Sequence, residues 1–446
     1  MFIRSGVIYA LANIASSAVP FLLLPLLTRV LSPAEYGSVV AFALMVTLCQ
    51  TVAGLNVHAA MGVIWFQCPK AEVPAFTATA LVVALVSTAV VALLVGFVLM
   101  FFPRFIGQIS APWGMLAAVT AGASVVVQCR LVLWQSQNRA LSSAALQFCN
   151  SLLNVCLSLF AVLGLRLGGE GRNAAFAFST LVMAGATLVL FAGARELRWA
   201  PSSSQRSTLL RFGSPLIVHS LAAVLIGTFD RWSVSIQLDS AALGVYGAGS
   251  QLGMVMLILA DAFVKTFSPW IYARLQTDTL EDRRVAVGAI YASMPMFIIL
   301  GIGVGIALQT AAALLLDSRY QYALKVIPWF IAGGMASGVY MCTAVLFFFR
   351  GRTARLAGVT LASALVGTPL TWWLVSHLGV NGAAIGFAAT QTILALFVTV
   401  TAIYSFDDLP WRYPGAALSS WWRTCFALRP TYTPITPIKK IENNSQ

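Results

Sequence analysis

Two pairs of charged side chains interrupt otherwise apolar stretches of this chain, and they are the first candidates for chemistry. Asp230 and Arg231 are adjacent, whereas Asp261 and Lys265 stand four residues apart. A charge at the centre of a bilayer costs about 2.5–3.5 kcal/mol on insertion scales, so such residues are rare and often functional. Residues four apart share a helix face, so Asp261 and Lys265 can pair; a self-neutralising pair and a role in a cavity both stay open.

Adjacent residues do not share a helix face, so Asp230 and Arg231 need different partners. We expect Arg231 to face a cavity and Asp230 to serve the structure; the alternative is an ion pair at the end of a membrane span. Three more arginines, Arg4, Arg29 and Arg130, stand where apolar stretches begin or end. Arg4 and Arg130 suit the inner mouth of a cavity. For Arg29, which ends the first stretch, an interfacial anchor is the favoured interpretation and a site role is the alternative.

Amides and histidines complete the polar candidates. The amides within apolar stretches include Asn13, Asn56, Asn150 and Asn154. The first two could bond a polar ligand, whereas bonds between helices are the favoured interpretation for the second two. His58 and His219 are candidates for coupling to a proton, because an unperturbed histidine titrates near neutral pH. The alternative is that each packs against its neighbours.

The apolar stretches that must position these residues are helices in a membrane. Eleven stretches lack Asp, Glu, Lys and Arg: 5–28, 36–69, 73–103, 105–129, 140–165, 173–194, 212–229, 240–260, 285–316, 326–349 and 356–406. About 20 apolar residues span a bilayer, so the last stretch holds two spans with a turn at 379–382. We therefore expect an all-α, polytopic membrane protein of twelve transmembrane helices. The chain is 9% charged, against about 25% for a soluble domain.

The distribution of positive charge predicts the orientation. With both termini in the cytoplasm, 20 of the 27 lysines and arginines fall on the inner side and seven on the outer side. The positive-inside rule favours this placement. The charges are scattered over short loops, so the net charge of +13 does not indicate a nucleic-acid partner.

The chain repeats itself with a nearly constant offset. Residues 31–37 (LSPAEYG) match 238–244 (LDSAALG) at an offset of 207, and two later landmarks recur at offsets of about 211 and 213. The pattern predicts two six-helix bundles, 1–194 and 212–405, joined by a cytoplasmic linker at 195–211 and followed by a tail at 406–446. An even number of spans relates the bundles by a pseudo-two-fold axis along the membrane normal, an arrangement that supports alternating access. Convergent hydrophobic sequence is the alternative.

Several motifs associated with cofactors are missing. The run 168–172 (GGEGR) lacks the ending of a phosphate loop and follows no strand, so it is interpreted as a tight outer turn. The seven cysteines show no metal-ligand spacing and are expected to be free thiols. No Walker motif is present, and we expect neither a cofactor nor direct use of ATP.

Several segments together resemble bacterial polysaccharide flippases of the Wzx type, in the multidrug/oligosaccharidyl-lipid/polysaccharide exporter superfamily. The segments are 25–37, 212–220, 230–231, 244–246, 320–323, 327–328 and 379–384. The resemblance covers about residues 1–405. It implies a twelve-helix transporter that moves an undecaprenyl-diphosphate-linked oligosaccharide from the cytoplasmic to the periplasmic leaflet of the bacterial inner membrane, for O-antigen, capsule or exopolysaccharide synthesis. It also implies polysaccharide polymerase machinery as a partner.

The resemblance gives the candidate residues roles. An arginine donates two parallel bonds to phosphate oxygens and keeps its charge when buried. The cationic partners for the diphosphate are then Arg231, Arg29, Arg4, Arg130 and Lys265, and the amides for the substrate are those of Asn13 and Asn56. The candidates for coupling to a proton or sodium ion are Asp261, Asp230, His58 and His219. The membrane potential would drive an anionic substrate outward.

The tail departs from the family pattern. Residues 415–428 are too short to span the membrane, and their tryptophans and arginine suit a helix on the inner membrane face. Two other functions remain open. A drug or metabolite exporter of the same superfamily would favour a carboxylate-based cation site, whereas a membrane polymerase or ligase of glycan assembly would favour a large outer loop.

Overall fold

The computed structural model describes residues 21, 23–103, 109–198, 202–277 and 279–426, and these residues form helices and short connections without a strand. We number the helices α1 to α14. They are α1 (23–30), α2 (Pro33–Ala53), α3 (Val57–Gln67), α4 (Val73–Phe101), α5 (Ala111–Ser136), α6 (Ala140–Leu159, extended by a π-turn at Phe160–Gly164), α7 (Gly168–Gly193), α8 (Ser203–Gln237), α9 (Ser240–Gly253), α10 (Val255–Thr277), α11 (Leu280–Leu315), α12 (Ile327–Phe349), α13 (Thr353–Ser405) and α14 (Pro414–Phe426). A 3₁₀-helix at Ser318–Lys325 precedes α12.

The described helices agree with eleven of the twelve predicted spans. Nine of the described helices, counting α9 and α10 as one, are long and apolar enough to cross a membrane. Of the three further predicted spans, the first (5–28) lies largely outside the described residues, and the second corresponds to α8. The third arises because α13 holds two helices that meet at Gly379, where φ is +58°. The protein is therefore an all-α, multi-pass membrane protein, as the sequence predicts.

The second and eighth spans share one design. Ser32 caps α2 by accepting from the Glu35 amide, and the Glu35 carboxylate accepts from the Ser32 amide at 2.8 Å. Asp239 caps α9 by accepting from the Ala242 amide at 2.7 Å. Such caps satisfy amides that the first turn of a helix leaves free. Each span then breaks midway: α2 ends at Ala53 and α9 at Gly253, and Asn56 adopts a left-handed conformation with φ of 53°.

The two halves of the chain meet where α2 crosses α9. A Cβ built on Gly37 would lie 1.8 Å from the Ser240 carbonyl oxygen, and one on Gly244 would lie 1.9 Å from the Pro33 carbonyl oxygen. Glycine alone allows this approach, because any side chain would overlap backbone atoms. Gly37 and Gly244 are the last residues of the two repeated heptapeptides. The internal repeat therefore marks the contact between the halves.

The halves diverge beyond this crossing. Helix α3 packs against α4 and α5, whereas α10 packs against α11 and α12, so the continuations of α2 and α9 separate. The start of α8 still reaches the first half, where Gly213 lies against the Leu55 carbonyl and Gln205 accepts from the Thr79 hydroxyl at 3.0 Å. The molecule is thus closed at the end where α2 and α9 begin, and it opens toward the other end.

The structure corrects several predicted boundaries. Helix α8 begins at Ser203, inside the predicted linker, and continues to Gln237. Asp230 and Arg231 therefore lie within the helix, not at its end. The glycine-rich run at 168–172 is the first turn of α7, not an outer turn. Apolar composition alone does not predict where α7 and α8 begin. A helix can continue through charged residues when their side chains find partners inside the fold.

The tail forms a helix that packs against α11. A Cβ on Gly288 would lie 2.1 Å from the Ala417 carbonyl oxygen, so α11 and α14 are in close contact. Before this helix, Asp408 pairs with Arg350 and lies 3.8 Å from Arg283, which ties the tail to the end of α12 and the start of α11. The 13-residue length of α14 agrees with a helix too short to span.

Candidate functional site

A cavity of about 530 Å³ lies between the halves, just below the crossing of α2 and α9. Helices α1, α2, α6, α7, α8 and α9 line it. The polar and charged side chains of its wall include Tyr36, Thr47, Asn150, Asn154, Arg172, Asn173, Arg231 and Gln251. Among the described lining residues none is Asp or Glu, so the wall carries positive charge.

Arg231 lines the cavity from α8 of the second half. One guanidinium nitrogen donates to the Gly227 carbonyl at 2.9 Å, and the other donates to the Met254 sulfur at 3.4 Å. The side chain is 11% exposed. Two ordinary bonds leave several of its five N–H donors free to meet a ligand.

Asp230 lies behind Arg231 and away from the cavity. It is buried, and the Tyr246 hydroxyl donates to one of its carboxylate oxygens. The other oxygen lies 3.8 Å from the Arg231 guanidinium and has no hydrogen-bond partner among the described residues. The placement agrees with the expectation that Arg231 faces a cavity while Asp230 is bonded within the structure.

Arg172 lines the same cavity from α7 of the first half, and the sequence analysis missed it. Its guanidinium carbon lies 5.6 Å from the centre of the Phe176 ring, and its Nε is buried without a hydrogen-bond partner. Among the described residues no carboxylate lies within ion-pair distance of it. Both Arg172 and Arg231 lie within electrostatic range of the Tyr36 hydroxyl. One available signal was the position of Arg172 directly before a charge-free stretch.

Amide side chains surround the arginines. The Tyr36 hydroxyl donates to the Gln251 side chain at 2.7 Å, which joins the halves across the cavity roof. Asn150 and Asn154 lie on the cavity wall, and the Asn150 carbonyl oxygen has no partner in the described part of the chain. Asn154 accepts from Ser158 of its own helix at 3.3 Å. The bonds between helices predicted for these two amides therefore stay a prediction, and both residues line the cavity.

Arg130 does not line the cavity, contrary to its predicted place at the mouth. It is almost fully buried and forms an ion pair with Glu196. Its guanidinium carbon also lies 4.4 Å from the Trp134 ring and 4.6 Å from the Phe191 ring. Glu196 comes from the predicted linker, so Arg130 fastens that segment to α5 and α7.

The pair on α10 forms as its spacing predicts, but outside the cavity. The Lys265 nitrogen lies 2.6 Å from the Asp261 carboxylate, and both side chains are about half exposed. The two charges neutralise each other on the surface of α10. Arg29 is exposed at the closed end, and neither Arg29 nor this pair contributes to the cavity wall.

The remaining candidates lie apart from the cavity or outside the described structure. Asn56 is buried at the break between α2 and α3, where its side-chain Oδ1 accepts from the Ser220 hydroxyl at 3.5 Å. His58 follows on α3, and its Nδ1 has no partner among the described residues. Arg4 and Asn13 lie outside the described residues, as does the side chain of His219.

A second contact between the halves lies at the closed end, where α2 and α9 begin. The Tyr320 hydroxyl donates to the Leu31 carbonyl at 3.1 Å, and the Arg319 guanidinium donates to the Arg29 carbonyl at 2.9 Å. Asp317 orients Arg319 through a bond of 2.8 Å. Hydrogen bonds from the Arg319 side chain and backbone hold the pKa of the Asp317 carboxyl below its usual range. The 3₁₀-helix thereby links the second half to the end of α1.

Six of the seven cysteines are described, and all six are free thiols, as expected. Among the described residues no cluster of three His, Cys, Asp or Glu side chains is placed to hold a metal ion. In the described part of the cavity wall the charged side chains are the two arginines, and Asp230 lies behind one of them.

Comparisons with known proteins agree with this geometry. Residues 2–275 match the family model described as "Polysaccharide biosynthesis protein". "Lsg locus putative protein 1" of Haemophilus influenzae is 23% identical over 374 residues, covering 81% of this chain and 88% of that protein. An inward-facing multidrug resistance MATE family transporter of the MOP superfamily superposes with a TM-score of 0.72 at 14% identity, over 90% of this chain and 98% of that one.

A solved lipid flippase has the same fold. The lipid II flippase MurJ, in an inward closed conformation, superposes with a TM-score of 0.67 at 11% identity, over 96% of this chain and 94% of that one. These structural neighbours are a transporter and a flippase rather than catalysts. The family model covers more than half of the chain, and the fold and the resemblance in sequence point the same way. The chain thus belongs to the polysaccharide biosynthesis protein family, and it has the fold that these two solved structures share.

Proposed function

We propose that this protein flips undecaprenyl-diphosphate-linked oligosaccharide units from the cytoplasmic to the periplasmic leaflet of the bacterial inner membrane, by alternating access. The polymer served would be O-antigen, capsule or exopolysaccharide. The observation that carries the proposal is the pair of arginines, Arg172 and Arg231, which approach one cavity from opposite halves. None of the described residues that line this cavity is a carboxylate.

Two guanidinium groups suit a diphosphate. Each guanidinium can donate two parallel bonds to phosphate oxygens, and a diphosphate offers two phosphate groups. Arg172 has no ion-pair partner among the described residues, and Arg231 has a distant one at 3.8 Å. A dianionic group between them would supply the missing charge. Because the arginines belong to opposite halves, that ligand would bridge the parts that must move against each other.

The surrounding wall suits a sugar. Sugars are bound through amides, hydroxyls and aromatic faces, and the cavity offers Asn150, Asn154, Asn173 and the ring of Phe176. Its volume falls within the roughly 300–1,000 Å³ that is usual for a ligand pocket. This space holds the diphosphate and the sugars next to it, while the rest of the oligosaccharide would extend toward the open end.

The orientation follows from the positive charges. If both termini are cytoplasmic, as the distribution of lysine and arginine favours, the crossing of α2 and α9 lies at the periplasmic side. The described conformation is then inward-facing. Rocking of the halves would open this crossing, close the space between α3 and α10, and present the same cavity to the periplasm.

The membrane potential can supply the driving force. The cytoplasm is negative, so moving an anion outward gains about 2.3 kcal/mol per charge per 100 mV. An inward proton or sodium ion would add to this. Candidates for ion coupling remain Asp230, whose second oxygen lacks a hydrogen bond, together with Asp261, His58 and His219. The polymerase machinery would then receive the flipped unit.

Two alternatives are less well supported. An exporter of cationic drugs would place carboxylates on the cavity wall, and none lies there among the described lining residues. A polymerase or ligase would carry a large outer loop; the longest described segment at the outer end is the 3₁₀-helix Ser318–Lys325.

The test is to delete the gene and measure surface polymer and lipid-linked repeat units in each leaflet. Complete repeat units confined to the inner leaflet, with loss of polymer, are expected of a flippase. Complete units that accumulate on the outer leaflet would instead indicate a polymerase or ligase. Unchanged polymer in a strain without a second flippase gene would favour an exporter.

A further inference from the structure

Helix α14 of the tail contributes none of the described residues that line the cavity, and its surface divides into three faces. Residues four apart lie on the same face of a helix, because 3.6 residues complete one turn. The first face packs against α11, and it includes the buried Ala417 and Ser420 and the partly buried Trp421. The other two faces are exposed, so they are the surfaces that a partner would meet.

The two exposed faces differ in character. Leu418 and Trp422 form an apolar stripe, and Trp422 is more than half exposed. Ser419 and Arg423 form a polar stripe directly beside it, and both side chains are exposed. Tyr413, which precedes the helix, is also more than half exposed. An apolar stripe beside a cationic one, with exposed aromatic rings, is typical of a helix that lies in the plane of a membrane interface.

The position of α14 along α11 matches the boundary between lipid headgroups and acyl chains. The first turns of α11 carry charged residues at 281–284, and from Val285 onward no charge follows until Asp317. Gly288 contacts α14, and the Tyr291 hydroxyl donates to the Trp411 carbonyl at 2.9 Å. These two residues lie about 5 and about 9 Å into the charge-free part at 1.5 Å per residue. Interfacial helices bury their apolar face to a depth of about 5–10 Å.

The arginines beside these stripes supply charge that suits an anionic surface. Arg412 and Arg423 are exposed, and neither forms an ion pair with a carboxylate in the part of the chain that the structure describes. Of the two acids that precede them, Asp408 is paired with Arg350, and Asp407 is exposed. Cations near the surface of an anionic leaflet are attracted to its headgroups.

We propose that α14 lies in the inner membrane interface, where Leu418 and Trp422 contact the upper acyl chains and Arg412 and Arg423 bind the headgroups of anionic phospholipids. The lipid surface is the partner that fits, because it offers apolar chains and negative charge at the same depth. The inner side follows from the distribution of lysine and arginine. The assignment depends on the tail alone and not on the transported substrate.

This contact restrains the second half of the molecule. The segment before α14 packs into that half, where the centre of the Phe406 ring lies 5.0 Å from that of the Phe347 ring of α12. In the described structure α14 makes its extensive contacts with α11. Helix α14 therefore moves with the second half, and the first half rocks against a half that the lipid surface holds.

The test uses the full protein in lipid nanodiscs, with one bimane fluorophore on a single cysteine in a background without native cysteines. Leu418→Cys places the fluorophore on the apolar stripe. Ser419→Cys, one residue away, is the matched control on the polar stripe. Quenching is measured with iodide in water and with a nitroxide near the top of an acyl chain, carried by phosphatidylglycerol or by phosphatidylcholine.

We expect the acyl-chain nitroxide to quench the fluorophore at Leu418→Cys and iodide to quench the fluorophore at Ser419→Cys. Equal quenching of both by iodide would show that α14 lies in water, which would overturn the proposal. Protection of Leu418→Cys from both quenchers would show that protein, such as a second copy of this chain, covers the apolar stripe, and it would overturn the proposal as well.

The choice of lipid tests the arginines. At Leu418→Cys, phosphatidylglycerol should associate more strongly than phosphatidylcholine, and Arg412→Gln and Arg423→Gln should each reduce this preference roughly fivefold. The charge-matched control is Arg206→Gln with Arg211→Gln, since both arginines are exposed at the start of α8; it should leave the preference unchanged. A preference that survives the loss of Arg412 and Arg423, or that falls equally in the control, would overturn the headgroup assignment. No readout depends on transport, so the proposed function stands or falls separately.

Discussion

Replacing Gly37 with alanine should weaken the closed end of the transporter. Gly37 meets the Ser240 carbonyl where α2 crosses α9, and an added Cβ would lie 1.8 Å from that oxygen. The obstacle is backbone, which cannot rotate out of the way. The helices must therefore separate locally whenever this end closes.

The size of the effect follows from the overlap. An ordinary contact begins at 3.4 Å, so α2 and α9 must move apart by about 1.6 Å at this point. Overpacking of this kind costs typically 1–3 kcal/mol. Since the clash exists only when the end is closed, that energy shifts the closed-to-open ratio by roughly 5- to 150-fold. Gly244→Ala should behave alike, because its Cβ would meet the Pro33 carbonyl at 1.9 Å.

Distances between paired spin labels measure this ratio. Cysteines introduced at Leu167 and Ser318, both exposed at the closed end and on opposite halves, would carry the labels in a background without native cysteines. We expect Gly37→Ala to move population from the short to the long distance. Gly185→Ala is the control, since a Cβ there meets nothing within 4 Å. A Gly37→Ala protein of normal stability with an unchanged distance distribution would refute the idea that this crossing closes the cavity.

Three further predictions follow from the charged groups. Alanine at Arg231 or Arg172 should lower export of lipid-linked units roughly 10- to 150-fold, because a charged hydrogen bond of about 1.5–3 kcal/mol is lost. The amount of protein in the membrane should stay normal. Normal polymer output from a variant would remove that residue from the site. Alanine at Arg130 should cost about 1.5–3 kcal/mol of stability, because it removes the charged hydrogen bond to Glu196. Thermal unfolding in detergent measures the loss, and an unchanged melting temperature would contradict it. The contact of Asp317 with Arg319 stabilises the closed end fully above the ordinary aspartate pKa of about 3.9, and this stabilisation is lost as pH falls through the lower pKa of the folded state. Spin-label distances at the closed end should therefore stay constant from about pH 8 to about pH 5. A transition in that range would show that another group controls closure.

The sequence predicted the fold well because the membrane leaves few options. Backbone groups in lipid must be bonded within their own segment, so long apolar stretches become helices. The internal repeat also marked where the halves meet. Its first pair of matching segments ends in Gly37 and Gly244, which form the contact between the halves. The breaks inside the second and eighth spans were not predicted, since apolar composition is the same on both sides of each break.

The site was predicted only in part, for physical reasons that differ between residues. Arg231 stood out because it interrupts an apolar stretch. Arg172 was missed because the start of α7 was taken for a turn, which placed it outside the membrane. Arg130 was assigned to the cavity mouth because its partner, Glu196, is 66 residues away and only the fold brings the two together. Partners distant in sequence are what single-sequence reasoning cannot supply.

The turn at Gly379 has a consequence for how the protein is made. The last two spans reverse direction with only one residue outside helical geometry, and Gly382 packs against the Leu374 carbonyl just beyond it. No charged residue stands between 356 and 406. The two helices of α13 thus form a hairpin whose turn has no charged loop that must cross the bilayer during insertion. This pair can partition into lipid as a preformed unit, so the last stage of biogenesis requires no translocation of hydrophilic chain.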